Sequence, residues 1–375
     1  MKQFIFFTIF LFAFVSEVIS EWADVDSEWM KYIDGNLKLN QINIPGTHDS
    51  GTYGITLKVN EALARTQNKS IYQQLESGVR YLDLRLAWND KDVNIVHGKG
   101  LFTANGKNDK GKDLFLKEVL DECTKFLTDP NNNHSSEVII AHLKLEDDDD
   151  NYSHIKSKVK ETFNDENLYY TKNEIPRLNE VKGRIVIATR EDYNEYDDEG
   201  NVTKEYGIHI PIHSKAKDVN YDKRYISING TTYDLRVQDG YELELEQKFY
   251  AIEHLVNNQS AISQGSNDGE NVIAINFMNI SDWEASLWFE TLNEATREIF
   301  ADDYLELAAT QINDKFINDN KPDYVLMDED PNIIMLDPYE NRSIKLMQGQ
   351  QYGWFVADFI DERLARYIYK SNKCI

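Results

Sequence analysis

Short β-branched apolar runs alternate along the chain with longer stretches whose apolar residues recur every three or four positions. The runs predict strands at Gln41 to Ile44, Tyr81 to Leu86, Val93 to Val96, Val138 to Leu145, Arg184 to Thr189, Arg236 to Val237 with neighbours, Val272 to Phe277 and Gly353 to Ile360. The longer stretches predict helices at Ser70 to Ser77, Leu114 to Leu127, Ile155 to Phe163, Leu243 to Asn257, Ile280 to Phe300 and Tyr304 to Asn318. Strand, helix, strand repeated about eight times is the signature of a parallel sheet, and closure into a barrel is its simplest form. The predicted fold class is therefore α/β, a single distorted TIM (βα)8-like barrel, with residues 1–20 as a leader and 21–375 as the barrel.

The first segment departs from this rhythm. Lys2 precedes an apolar run from Phe4 to Val15, and Val18-Ile19-Ser20 supplies the small residue that a signal peptidase requires. Glu17 and the shortness of the run argue against a membrane span, which needs about 20 apolar residues. A cleaved signal peptide and a secreted product are expected. Eight Asn-x-Ser/Thr sequons, at Asn68, Asn133, Asn151, Asn201, Asn229, Asn258, Asn279 and Asn341, agree with that route. Asn279 adjoins a strand that should be buried, so only some are expected to carry glycan.

Charge narrows the partners. A formal net charge of −25 argues against nucleic acid and against electrostatic docking on anionic lipid, so any membrane contact must be mainly apolar. No obligate protein partner is evident. Cys123 and Cys374 could form one disulfide in an oxidising compartment, or remain a buried thiol and a tail thiol. The acidic patches Glu146 to Asp150 and Glu191 to Glu199 read as solvated loops without the ligand spacing of a helix-loop-helix calcium site. The stretch Asp192 to Asp234 reads as a long excursion between the fifth and sixth strands.

In a barrel of this type, residues at the carboxyl ends of the strands share one face. That face collects His48, Asp49, Asp83, Arg85, His97, Lys144, Glu146, Arg190, Asp239, Tyr241 and Asp358. Singly, His48-Asp49 could cap a loop, and Asp83 with Arg85 or Lys144 with Glu146 could be a structural ion pair. Together they suit cleavage of a phosphodiester by a neighbouring hydroxyl. That reaction needs a base, an acid and a cation on the phosphoryl oxygens. Histidine titrates near pH 6.5 and can serve as base or acid, while the planar arginine fork grips two phosphoryl oxygens and stays charged. A carboxylate bonded to one imidazole would fix its tautomer.

These residues also carry a resemblance. Ile44-Pro-Gly-Thr-His48-Asp49-Ser50, Gly78-Val-Arg-Tyr-Leu-Asp83-Leu-Arg85, Val96-His97-Gly98, Glu137 to Glu146 and Gly183 to Arg190 resemble the catalytic X region of phosphatidylinositol-specific phospholipases C. The small secreted bacterial type is the most similar. Val237-Gln238-Asp239-Gly240-Tyr241, Ile275-Asn276-Phe277 and Gly353 to Phe359 extend the likeness to the last strand.

The resemblance implies a base at His48, an acid at His97, a phosphate clamp at Arg85, and supporting carboxylates at Asp49, Asp83 and Asp358. It maps an inositol pocket onto Lys144, Arg190, Asp239 and Tyr241, with phosphatidylinositol or a GPI lipid at a membrane surface as partner. Products would be diacylglycerol and inositol 1,2-cyclic phosphate. No metal and no cofactor are expected, because a guanidinium at position 85 takes the place that a calcium ion holds in metal-dependent relatives. Trp283 and Trp288, with Phe289, Leu57 and Val59 nearby, are the candidates for membrane contact. His142 departs from the family pattern, which has a small residue there. Two other readings remain: a secreted lipid- or glycan-binding barrel without turnover, and a metal-dependent glycerophosphodiesterase-like barrel. The second would need a Glu-x-Asp metal pair where Asp83-Leu84-Arg85 stands.

Overall fold

The computed structural model describes residues 26–55, 64–98, 104–132, 134–146, 151–200, 202–280, 309–317 and 344–375. The leader at 1–20, Leu57, Val59, Trp283, Trp288 and Phe289 lie outside the described residues, as do most of the two helical patterns predicted between Ile280 and Asn318.

The strands run in chain order as β1 (Ile44–Thr47), β2 (Tyr81–Trp88), β3 (Val93–His97), β4 (Ala104–Asn105), β5 (Ile139–Leu145), β6 (Tyr169–Tyr170) and β7 (Ile185–Thr189). They continue as β8 (Glu195–Tyr196), β9 (Val202–Lys204), β10 (Ile208–His209), β11 (Asp222–Ile228), β12 (Thr231–Gln238), β13 (Val272–Phe277) and β14 (Trp354–Ala357). The main sheet has the order β10-β7-β5-β2-β1-β14-β13-β12-β11. Its first eight members are parallel throughout, and β11 closes the list as an antiparallel hairpin partner of β12. Among the described strands β10 and β11 do not pair, so the wall curls round as a barrel whose ladder stays open at that seam.

Alternation along the strands sorts the side chains. Leu82, Leu84 and Leu86 of β2 point outward into one apolar cluster with the surrounding helices, while Tyr81 joins the other cluster with Ile44, Ile140, Phe277 and Trp354. Because successive side chains point to opposite faces, Asp83 and Arg85 follow Tyr81 to the inside. The same parity sends His142 and Lys144 of β5, Arg190 after β7, Asn279 after β13 and Asp358 after β14 inward.

Several predicted boundaries move. The first strand is Ile44–Thr47; Gln41, expected to open it, instead ends a 3-10 turn at Leu39–Gln41. β3 is not a barrel rung, because it turns back antiparallel on β2, pairing Leu86 with Ile95 and Trp88 with Val93. The predicted excursion at 192–234 holds the antiparallel strand β11. The last strand stops at Ala357, since Phe359 adopts φ +45°. Glycine is required at two positions in this wall. A Cβ at Gly46 would meet Tyr81 at 2.9 Å, and one at Gly353, where φ is +88°, would meet the Ala274 carbonyl oxygen at 2.2 Å. Cys123 is a buried thiol, and no disulfide joins it to Cys374 near the carboxyl end.

Candidate active site

His48 and Asp358 are 310 residues apart in sequence, yet the β1/β14 ladder places them side by side. Ile44 pairs with Trp354 and Gly46 with Val356, so the next inward rung pairs position 48 with 358. His48 Nδ1 lies 2.8 Å from Asp358 Oδ1. Its Nε2 faces two donors, an Arg85 Nη2 at 2.6 Å and Asn279 Nδ2 at 3.4 Å. A carboxylate on one nitrogen and donors on the other fix the neutral tautomer: the proton sits on Nδ1 and the Nε2 lone pair points into the pocket. Gln67 secures the same corner from behind, its amide donating to the carbonyls of His48 and Ala357, both at 2.9 Å.

Asp49 follows in a left-handed conformation, φ 43° and ψ 53°, which Asp tolerates better than most residues. The turn breaks strand alternation, so adjacent side chains 48 and 49 both join the site. Asp49 is buried, pairs through Oδ1 with Arg85 Nε, and sets Oδ2 3.4 Å from His48 Nε2 and 3.3 Å from His97 Nε2. One carboxylate oxygen thus touches both imidazoles. His97 arrives from the end of the β2/β3 hairpin and remains partly exposed, with 28% of its side chain accessible.

Arg85 is the hub. Its guanidinium contacts Asp49, Asp83 Oδ2 at 3.3 Å and Glu146 Oε1 at 3.0 Å besides His48. Asp83, fully buried, spends its other oxygen on Arg190 Nη2 at 2.9 Å. Arg190 also lies over the Phe277 ring, 5.4 Å from its centroid. Lys144 pairs with Glu146. Glu146 is therefore a member of the site and not part of a solvated acidic loop: β5 delivers it beside Arg85, and only a tenth of its side chain is exposed.

Electrostatics follow from this packing. Burial works against charge on Arg85, but Asp49, Asp83 and Glu146 outweigh it and hold the guanidinium firmly protonated. Burial would raise Asp83, yet Arg190 and Arg85 drive its carboxyl far below the usual range. For His48, burial is overcome by Asp49 and Asp358, and its pKa rises above the usual 6.5. For His97, burial dominates the attraction of Asp49 and the pKa falls.

The remaining predicted residues line the neighbouring wall. Asp239, which follows β12, is buried and accepts from Ser214 Oγ at 2.5 Å. Tyr241 is half-buried. The predicted residues His48, Asp49, Asp83, Arg85, His97, Glu146 and Asp358 meet in one cluster, and Lys144 and Arg190 join it through Glu146 and Asp83. Sequence reasoning missed Asn279. Only its parity with Phe277 was readable in the sequence; the pairing of Phe277 with Val356, seen in the structure, makes 279 and 358 neighbours on the next inward rung. His142 is buried beneath this layer, 2.5 Å from the Tyr81 hydroxyl through Nδ1, and burial lowers its pKa to about 3.

Ligand atoms of His48, Asp49 and Asp83 lie within 4.8 Å of one another, the one cluster among the described residues that could hold a metal ion. The Arg85 guanidinium already lies against both carboxylates and Nε2 of that imidazole.

The family model for the phosphatidylinositol-specific phospholipase C X domain matches residues 42–191, the stretch that carries every residue of this cluster except Asn279 and Asp358. Residues 42–191 belong to the phosphatidylinositol-specific phospholipase C X-domain family. The X domain has relatives along more of the chain. The chain is 28% identical over 267 residues to the 1-phosphatidylinositol phosphodiesterase of Staphylococcus aureus strain Newman, covering 68% of this chain and 75% of that protein. The corresponding Listeria monocytogenes protein is 32% identical over 171 residues, 43% of this chain and 48% of its own. In fold, a solved structure of the S. aureus phosphatidylinositol-specific phospholipase C matches 93% of this chain and 98% of its own with a TM-score of 0.61 at 22% identity. The X domain and the strands beyond it thus form a distorted TIM barrel.

Proposed function

We propose that the chain is a phosphatidylinositol phosphodiesterase of the phospholipase C type, which cleaves by attack of the substrate's own inositol hydroxyl. The observation that carries this reading is that Asp49 Oδ2 lies within 3.4 Å of both His48 Nε2 and His97 Nε2, with Arg85 held against the same carboxylate. A base, an acid and a fixed cation therefore surround one small space, the set that phosphoryl transfer between neighbouring oxygens requires.

In the proposed reaction His48 Nε2 takes the proton of the inositol 2-hydroxyl. That oxygen bonds to phosphorus as the bond from phosphorus to the glycerol oxygen breaks, and His97 donates a proton to the departing diacylglycerol. Asp358 stabilises the imidazolium formed at His48. Arg85 supports the charge that builds on the phosphoryl oxygens; the phosphodiester takes over Nη contacts now made to His48 and Glu146. The products are diacylglycerol and inositol 1,2-cyclic phosphate. Slow hydrolysis of the cyclic ester runs the two imidazoles in the opposite sense. Lys144, Arg190, Asp239 and Tyr241 hold the ring. Because the guanidinium fills the position an ion would take, activity needs no metal.

Residues 1–20 act as a cleaved signal peptide in this reading, and the product is secreted and partly glycosylated. No helix among the described residues is long and apolar enough to cross a membrane. Trp283 and Trp288 supply apolar membrane contact.

The test is release of diacylglycerol from vesicles of phosphatidylinositol, set beside phosphatidylcholine vesicles and a GPI-anchored protein. Turnover of the inositol lipid alone, abolished in His48→Ala, supports the proposal. Equal cleavage of choline lipid, or undiminished turnover by His48→Ala, overturns it. Ring binding without turnover by the parent protein would favour the lipid-binding barrel.

A further inference from the structure

Lys248 stands apart from the chemistry described so far. It lies on helix Leu245–Gln259, on the apolar stripe formed by Leu245, Ile252 and Leu255, and it is fully buried. Among the described residues it forms no ion pair. Its ammonium donates instead to the Gly240 carbonyl at 2.8 Å and to the Gln238 side-chain oxygen at 3.3 Å. A buried cation without a carboxylate partner is a poor way to stabilise a helix packed on a sheet, where Met or Leu would fill the same space. Burial lowers its pKa to about 7, opposed by Asp239 and Asp358.

The acceptors explain the residue. Gly240 stands between Asp239 and Tyr241, and Gln238 is the last residue of β12. With its amide nitrogen facing Asn276 Oδ1 at 3.0 Å and the Phe277 carbonyl at 2.6 Å, Gln238 also accepts from the Gly240 N–H at 3.1 Å. The network thus ties the end of β12 to the end of β13, and it does so from the helix side of the wall. On the other side the excursion closes in. Ser214 donates to Asp239, the Glu242 N–H donates to the Ala216 carbonyl at 2.8 Å, and a Cβ at Gly240 would meet the Asp218 carbonyl oxygen at 2.5 Å.

We propose that Lys248 is a positioning residue for ring binding: by pinning the Gly240 carbonyl from behind the barrel wall, it fixes the directions in which Asp239 and Tyr241 enter the pocket. The inference rests on the reading of Asp239 and Tyr241 as the ring-binding pair. It predicts that Lys248 governs affinity for the inositol ring and leaves the phosphoryl-transfer step, built on β1, β2 and β14, almost untouched.

The experiment compares Lys248→Met and Asp239→Asn with the parent for kcat and KM on a soluble phosphatidylinositol analogue and for inhibition by myo-inositol, after thermal melts show that each variant is folded. Lys248→Met is expected to raise KM and the myo-inositol Ki about tenfold with kcat within about threefold, the pattern of lost binding and intact chemistry. Lys248→Arg, which keeps the donors, is expected to restore most of that affinity. Gln238→Leu loosens the same anchor from its other end, is expected to raise Ki similarly, and serves where Lys248→Met does not fold. If Asp239→Asn leaves KM and Ki unchanged, the ring-pocket reading itself fails. If Asp239→Asn raises them while folded Lys248→Met or Gln238→Leu does not, the assignment of Lys248 alone is overturned.

Discussion

Asp358→Ala tests the claim that the base of this site depends on a carboxylate contributed from the far end of the chain. The substitution removes a 2.8 Å contact between two buried groups, His48 Nδ1 and Asp358 Oδ1. A hydrogen bond to a charged group contributes about 1.5–3 kcal/mol, and the imidazolium formed in the transition state strengthens it. At about 1.4 kcal/mol per tenfold, kcat should fall by roughly 10- to 140-fold. KM should change by less than about threefold, because the substitution leaves in place the ring contacts assigned to Lys144, Arg190, Asp239 and Tyr241. The pH profile adds an independent readout. Asp358 is one of two carboxylates that raise the His48 pKa against burial, so its removal lowers that pKa and moves the optimum to lower pH. Steady-state kinetics on a soluble substrate from roughly pH 5 to 8.5 give both quantities. A folded variant with kcat within about threefold of the parent and an unmoved optimum would refute the orienting role.

Four further outcomes follow from the same geometry. Arg85→Lys replaces a fork engaged with three carboxylates by a point charge; kcat should fall by about 10²-fold or more, and restored KM with near-normal kcat would contradict the clamp. Asp49→Asn removes a charge that raises both His48 and His97, so both limbs of the bell-shaped kcat/KM profile should move to lower pH; an alkaline shift would count against the shared carboxylate. Glu137→Gln leaves Arg80 without its charged partner in a pair where neither side chain is exposed, and urea unfolding should show a loss of about 3–5 kcal/mol. Peptide mapping of protein expressed through a glycosylating secretory route should find glycan at Asn229, exposed in the β11/β12 turn, and none at Asn279, which is buried beside His48; modified Asn279 in active enzyme would exclude it from the pocket.

Much of the site was legible because a strand side chain has only two directions. Tyr81, Asp83 and Arg85 share parity, as do Ile140, His142 and Lys144, so a parallel barrel gathers their polar ends on one rim. Strand pairing order was harder to read. Nothing in Val93 to Val96 shows that it folds back antiparallel on β2, since a short apolar run looks alike in either direction. The hairpin of β11 with β12 was hidden for a related reason: Lys223, Tyr225 and Ser227 face solvent, and a half-exposed strand among Asn, Asp and Gly reads as loop. Glu146 carried two readings, a rim residue after the fourth predicted strand and the start of an acidic run, and charge runs ordinarily mean solvent; its contact with Arg85 decides for the rim. Lys248 occupies an apolar-stripe position, and the meaning of a cation there becomes visible only when the Gly240 carbonyl is seen 2.8 Å from it.

The central claim is transfer to a neighbouring hydroxyl by two imidazoles and a guanidinium without an ion. The most direct test follows phosphorus resonances while the protein acts on phosphatidylinositol vesicles in excess chelator. The account predicts that inositol 1,2-cyclic phosphate appears first and converts slowly to the acyclic monophosphate. Direct formation of the monophosphate with no cyclic species, or activity that vanishes in chelator and returns with calcium, would contradict it.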